Sequence, residues 1–295
     1  MKTSYRKIIF SIILFILIGG VSILPTLLKA DEVAPAIPED NLLYPVIIAL
    51  DSGGTGSGFY LNTKKATYLV TAKHVLYKKE GEKESLSGKT AVLQSYDRDS
   101  NIQVLRINLE KLVQNNTILC HPTEDLVIIK VLGADVKDQG RVKFLEGVIT
   151  DGNVKITGVP LEGIKRLQDV HVGNDVYIFG YPTSLQNPAL GIDFTKPLLK
   201  KGLIAGKDLK SKKIILDASL YFGTSGGLVL QFGYNTEHPL AREYRAVGIV
   251  LMTVPFINEF KSKQYGYSNL EFENSGYSLA LPMDFLLDLI KDVEK

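Results

Sequence analysis

The sequence predicts an all-β protein, a barrel or sandwich, that ends in one helix. Two observations carry this. Short runs of β-branched and aromatic residues recur at a spacing of roughly 8–15 residues, with Gly, Asn, Asp and Lys turns between them. Only the last segment, "PMDFLLDLIKDVEK" (282–295), changes period: Phe285, Leu286, Leu289, Ile290 and Val293 fall on one helical face, with acids and lysines opposite.

Taken along the chain, "YPVIIAL" (44–50), "SGFYL" (57–61) and "TYLVTA" (67–72) open the β region. "TAVLQSY" (90–96), "DLVIIKVL" (125–132) and "RVKFLEGVIT" (141–150) follow. "DVYIFGYP" (175–182), "KIILDASL" (213–220), "GLVLQF" (227–232) and "RAVGIVLMTV" (245–254) complete it. Each is short enough for a strand and bounded by turn residues. The Lys/Glu-rich "YKKEGEKESLSGK" (77–89) reads as a solvated loop, and "NEFKSKQYGYSNLEFENS" (258–275) as a polar loop insertion before the last strand.

The first 30 residues read as a targeting segment. "MKTSYRK" is a basic start, and an apolar run follows that ends at "LKA" before Asp31. Two outcomes stay open, a cleaved signal peptide and an uncleaved anchor, because the run from Ile8 to Leu28 is long enough to span a bilayer. Either one places the body of the protein outside the cytosol, secreted or in a periplasmic cell envelope. "DEVAPAIPEDNLLYP" (31–45) reads as a linker. Without residues 1–30 the basic residues fall from 34 to 30 against 32 acidic ones, so no basic excess remains to argue for a nucleic-acid partner. The single cysteine, Cys120, forbids an intramolecular disulfide and suits a bacterial envelope or secreted protein.

The chemistry gathers at three places. His74 ends the strand-like "YLVTAKHVL", Asp125 begins "DLVIIKV", and Ser225 sits in "GTSGG" between two apolar runs. Nucleophilic catalysis by serine needs a hydroxyl, an imidazole to take its proton and a carboxylate to orient that imidazole. It also needs N–H donors for the oxyanion, each worth about 3–4 kcal/mol. Glycines around a serine let the backbone bend sharply and offer such donors.

With "GTGSGFYL", "LVTAKHVL", "EDLVIIKV", "VGNDVYIFGYP", "ILDASLYFGTSGGLVL", "AVGIVLMTV" and "GYSLALP" in this order, the chain resembles a trypsin-like serine protease of the chymotrypsin fold, most of all the bacterial HtrA (Deg) branch. The likeness covers about residues 45–290. It implies a protease domain over 46–295, with two six-stranded antiparallel β-barrels, about 46–160 and 165–281, and a terminal helix over 283–294. It implies His74 as general base, Asp125 as its orienter and Ser225 as nucleophile, with the backbone N–H groups of Gly223 and Ser225 as oxyanion hole. Ser219 is expected at the base of the primary substrate pocket, and Leu251, Met252 and Thr253 along one wall. No carboxylate is expected there, so cleavage should follow small or medium apolar residues of a protein or peptide substrate. No metal or cofactor is implied. Two departures stand out: Thr224 replaces the Asn or Asp common before the nucleophile, and only 70 residues follow Ser225, which leaves no room for the PDZ domain usual in that branch. An exported endopeptidase is the leading reading; a catalytically silent scaffold that binds partners, or an esterase, are the alternatives.

Overall fold

The computed structural model describes residues 43–134, 142–234, 242–262 and 264–295. Residues 1–30, His238 and all but the end of the expected 31–45 linker lie outside the described residues. The first half of the chain contains β1 (Pro45–Leu50), β2 (Thr55–Asn62), β3 (Ala66–Thr71), the one-turn helix α1 (Lys73–Leu76), β4 (Tyr77–Glu80), β5 (Lys83–Leu86), β6 (Thr90–Tyr96) and β7 (Ile102–Asn108). Helix α2 (Leu109–Gln114) and the short strands β8 (Ile118–Cys120), β9 (Val127–Ala134), β10 (Val142–Phe144), β11 (Val148–Thr150) and β12 (Val159–Pro160) complete it. The sheet order is β10-β9-β3-β2-β1-β6-β7-β11, with β8 added to β9 and β12 to β2. Ile48, Leu93 and Leu105 stand opposite one another on β1, β6 and β7 and are fully buried. A slip of one residue would turn each of them to solvent, so the apolar pattern sets the register.

The first of the two expected barrels is half-closed: ten strands form a curled sheet whose ladder does not close on itself among the described residues. The reason is local. β11 occupies the outer edge of β7, and β8 and β10 occupy the outer edge of β9, so the two edges that would have met are already paired. The 77–89 segment is likewise a small hairpin of β4 and β5 rather than an irregular loop.

The second half does close. β13 (Asp175–Gly180), β14 (Leu198–Asp208), β15 (Lys213–Asp217), β16 (Leu228–Tyr234), β17 (Arg242–Ser262) and β18 (Tyr267–Pro282) form a barrel in the order β13-β14-β15-β18-β17-β16. Val176, Ile178, Ile204, Ile214, Val229 and Val250 fill it. Closure removes sheet edges that would otherwise offer unpaired amides. The expected polar loop at 258–275 is instead ladder over 258–262 and 267–274, in which β17 and β18 run on together beyond the barrel.

Helix α3 (Met283–Val293) buries Met283, Leu286 and Ile290, while Val293 of the predicted face is exposed. It bridges the halves. Asp284 accepts a hydrogen bond from the backbone N–H of Leu167 at 2.7 Å, Phe285 meets His121 edge-on, and Glu294 accepts from the hydroxyls of Thr63 and Tyr68 on the first sheet.

Candidate active site

His74 is the second residue of α1, which follows β3 after the single residue Ala72. The turn is anchored by buried Val75 and Leu76, which leaves His74 at the surface. Asp125 lies in the turn before β9 and grips His74 twice: Oδ1 accepts its backbone N–H at 2.9 Å, and Oδ2 lies 2.6 Å from Nδ1. Burial pushes the Asp125 carboxyl up, but the hydrogen bond and charge of the His74 ring, with the N–H groups of His74 and Lys73, outweigh it and hold it below the ordinary value. A carboxylate on Nδ1 fixes the proton there and leaves Nε2 as the basic nitrogen.

Ser225 occupies the turn between β15 and β16. Gly223 has φ +90°, and a Cβ there would come within 2.3 Å of the Tyr181 carbonyl oxygen. Gly226 has φ +82°, and its Cβ would stand 2.2 Å from the Ser57 carbonyl oxygen and from Thr71 Oγ1. Only glycine fits either place.

Three contacts hold the turn open. The carbonyl of Phe222 accepts from the Thr183 N–H at 2.8 Å and from its hydroxyl at 3.2 Å. Across a trans peptide the N–H of Gly223 then points the opposite way. Ser57 of β2 donates its hydroxyl to the Gly223 carbonyl at 2.6 Å and its N–H to the Ser225 carbonyl at 2.9 Å. Thr224 is buried, and its hydroxyl donates to the Tyr221 carbonyl at 2.6 Å. Among the described residues the N–H groups of Gly223 and Ser225 meet no protein acceptor. Two bare donors beside a hydroxyl make a concavity suited to an oxygen anion. Ser225 Oγ itself donates to the Leu251 carbonyl at 3.3 Å.

His74, Asp125, Ser225, Leu251, Met252 and Thr253 line one cleft of about 640 Å³. Ser219 is not among the residues that line this cleft. It lines a second cavity of about 500 Å³ behind the Ser219–Thr224 turn, where Lys200 of β14 donates its ammonium to the Ser219 carbonyl and lies 5.1 Å from the Tyr221 ring centre. From the first cleft a groove continues past Leu220, Tyr221 and Phe222 to Pro255, Phe272 and Asn274. Two carboxylates are nearby: Glu124 lines the cleft and pairs with Lys213 at 2.5 Å, and Glu273, exposed along the groove, accepts from the neutral Asn258 amide at 2.8 Å. His121 Nδ1 accepts the Glu124 N–H, and His171 donates its backbone N–H to Gln231; neither lines the cleft. Burial pushes the Cys120 thiol up, which makes it a poor nucleophile.

Sequence reasoning missed Ser57, Thr183 and Lys200. Ser57 left a trace, a polar residue at the head of the apolar run "GFYL", but its partners lie in the other half of the chain.

The sequence profile of the family described as trypsin-like peptidase domain matches residues 56–234. The chain belongs to this family. It is a serine peptidase, a hydrolase of peptide bonds, and its similar solved structures are HtrA/Deg-type and trypsin-like serine proteases. Deg5 is 16% identical to the peptidase, with 85% of this chain and 88% of Deg5 covered and a TM-score of 0.48. The serine endoprotease from Yersinia pestis is 15% identical, covering 88% of this chain and 67% of its own, with a TM-score of 0.45. The thermostable serine protease AL20, from an extremophilic microorganism, is 12% identical over 86% and 98%, with a TM-score of 0.47. No curated protein sequence matches the peptidase.

Proposed function

We propose that this peptidase is an exported endopeptidase that works through Ser225, His74 and Asp125. Ser225 Oγ leaves the Leu251 carbonyl by rotation about one bond and gives its proton to His74 Nε2 as it attacks the substrate carbonyl. The carbonyl oxygen, now an anion, is received by the N–H groups of Gly223 and Ser225. Collapse expels the amine, which takes the proton from His74 and leaves an acyl-enzyme at Ser225. Water, deprotonated by His74, then attacks the ester; collapse frees the acid, and His74 returns the proton to Ser225 Oγ. Asp125 stays ionised throughout and steadies the imidazolium.

One observation carries this reading: the 2.6 Å pair of His74 and Asp125 shares a cleft with a serine flanked by two unengaged N–H donors. Export is supported by the basic start and apolar run of residues 1–30. Cleavage after small or medium apolar residues is supported by Leu251, Met252 and Thr253 along the cleft, since a buried Lys or Arg side chain without a free carboxylate would lose several kcal/mol.

A fluorophosphonate probe tests the nucleophile. Labelling of the wild type that is absent in Ser225→Ala, together with hydrolysis of peptides, is expected. A folded wild type that takes up no label would favour a silent binding scaffold, and turnover of esters alone would favour an esterase. A peptide-library profile dominated by cleavage after Arg or Lys would overturn the specificity.

A further inference from the structure

Beyond the barrel, Pro255–Ser262 of β17 and Tyr267–Asn274 of β18 pair only with each other among the described residues, from Pro255↔Asn274 to Ser262↔Tyr267. Eight residues per strand make a ribbon about 27 Å long, at about 3.4 Å per residue. Two strands alone are marginal in water. This ribbon also leaves Phe256, Ile257, Phe260, Tyr267, Leu270 and Phe272 each more than half exposed. Such a concentration of apolar surface marks an interaction site.

The pattern says what kind. By the pairing register and the two-residue alternation, Phe256, Phe260 and Tyr267 lie on one face, and Ile257, Leu270 and Phe272 on the other. A partner laid flat against the ribbon would need one apolar face. A strand added at its edge sends side chains alternately to both, and so needs both.

Such an edge is open. β16 leaves β17 at Ile249, so from Leu251 onward the side of β17 away from β18 has no strand among the described residues. The open edge begins at the reacting group, because the Leu251 carbonyl holds Ser225 Oγ, and Met252 and Thr253 line both the cleft and the groove that leads to Pro255 and Phe272.

We propose that the ribbon is a docking arm for the substrate polypeptide. An extended segment of about eight residues, rich in apolar side chains, adds to the open edge of β17 and brings the adjoining residues to Ser225. This rests on Ser225 as nucleophile, so the test separates the two.

A short fluorogenic peptide that fills only the cleft is compared with versions extended by eight alternating Val and Phe residues, or by eight Ser and Gly residues, at either end. For the wild type, one of the apolar extensions should lower KM about tenfold, and the Ser/Gly extensions should not. In the Ile257→Thr, Phe260→Ser double variant this gain should vanish while turnover of the short peptide stays unchanged. Binding of the labelled apolar-extended peptide to Ser225→Ala, read by fluorescence anisotropy, should also weaken about tenfold when the two arm substitutions are added. Equal binding with and without them, or an arm whose substitutions change only the oligomeric state in light scattering, would overturn the proposal. Cleavage that survives in Ser225→Ala would instead overturn the nucleophile and leave the binding measurement to judge the arm.

Discussion

Asp125 reaches His74 through both of its oxygens, one to the backbone and one to the ring, so a single carboxylate sets the position and the tautomer of the proposed base. Ser225→Ala or His74→Ala should therefore lower kcat on the order of 10⁶-fold, and Asp125→Asn about 10⁴-fold, with the double variant Ser225→Ala, His74→Ala little worse than either single one. Steady-state kinetics on one peptide measures this, and a His74→Ala variant with near-native turnover would exclude it as the base. The same carboxylate should also shape stability. Because its pKa is lowered in the folded state, its contribution is present above the ordinary carboxylate value of about 3.9 and is lost as pH falls through the lowered one. The Tm difference between wild type and Asp125→Asn should thus be largest above about pH 5 and shrink toward pH 2. A difference that grows on acidification would contradict the assigned direction.

At the scale of elements, the turn that carries Ser225 is held from three sides, by Ser57 of β2, by Thr183 after β13 and by Lys200 of β14. Lys200 acts at one remove, through the Ser219 carbonyl and the Tyr221 ring, whose own carbonyl carries Thr224. It is a positioning residue. Lys200→Met should lower kcat about tenfold, the worth of one hydrogen bond from a charged donor, with KM little changed. Lys200→Arg should restore part of the loss. A change confined to Tm, with kcat intact and no rescue, would reduce Lys200 to a packing role. The elements themselves differ in how plainly the sequence announces them. β6 alternates buried and less buried residues, so its period is readable from "TAVLQSY". The ribbon of β17 and β18 exposes both faces, so Phe and Ile mix with Asn, Glu and Lys in no one-sided pattern, and the segment reads as a polar loop.

At the scale of the whole molecule, Thr224 decides how the site is kept ready. It is buried and neutral, with its hydroxyl proton donated to the Tyr221 carbonyl, so it carries no charge to balance a buried ammonium of the kind that a freed chain N-terminus would bring to this turn. Activity should then be independent of the N-terminal residue. Residues 31–295 produced with and without an N-terminal tag should cleave one peptide at equal rates. A tagged form silent until trimmed would show that the turn needs an outside contact.

His74, Asp125, Ser225 and the glycines around it became candidates because their short segments, in this order, resemble those of a trypsin-like protease, and such segments are local properties of the chain. The closing helix was legible for the same reason, through its 3.6-residue period. Ser57 was not, since its role is defined by Gly223, 166 residues away. Nor were the ten-stranded first sheet or the edge of β17, which depend on which strand occupies which neighbour. Local sequence determines where a strand or a reactive group lies along the chain; only folding decides what stands across from it, because edge pairing and the filling of a cavity are contests between distant segments for the same hydrogen bonds and the same space.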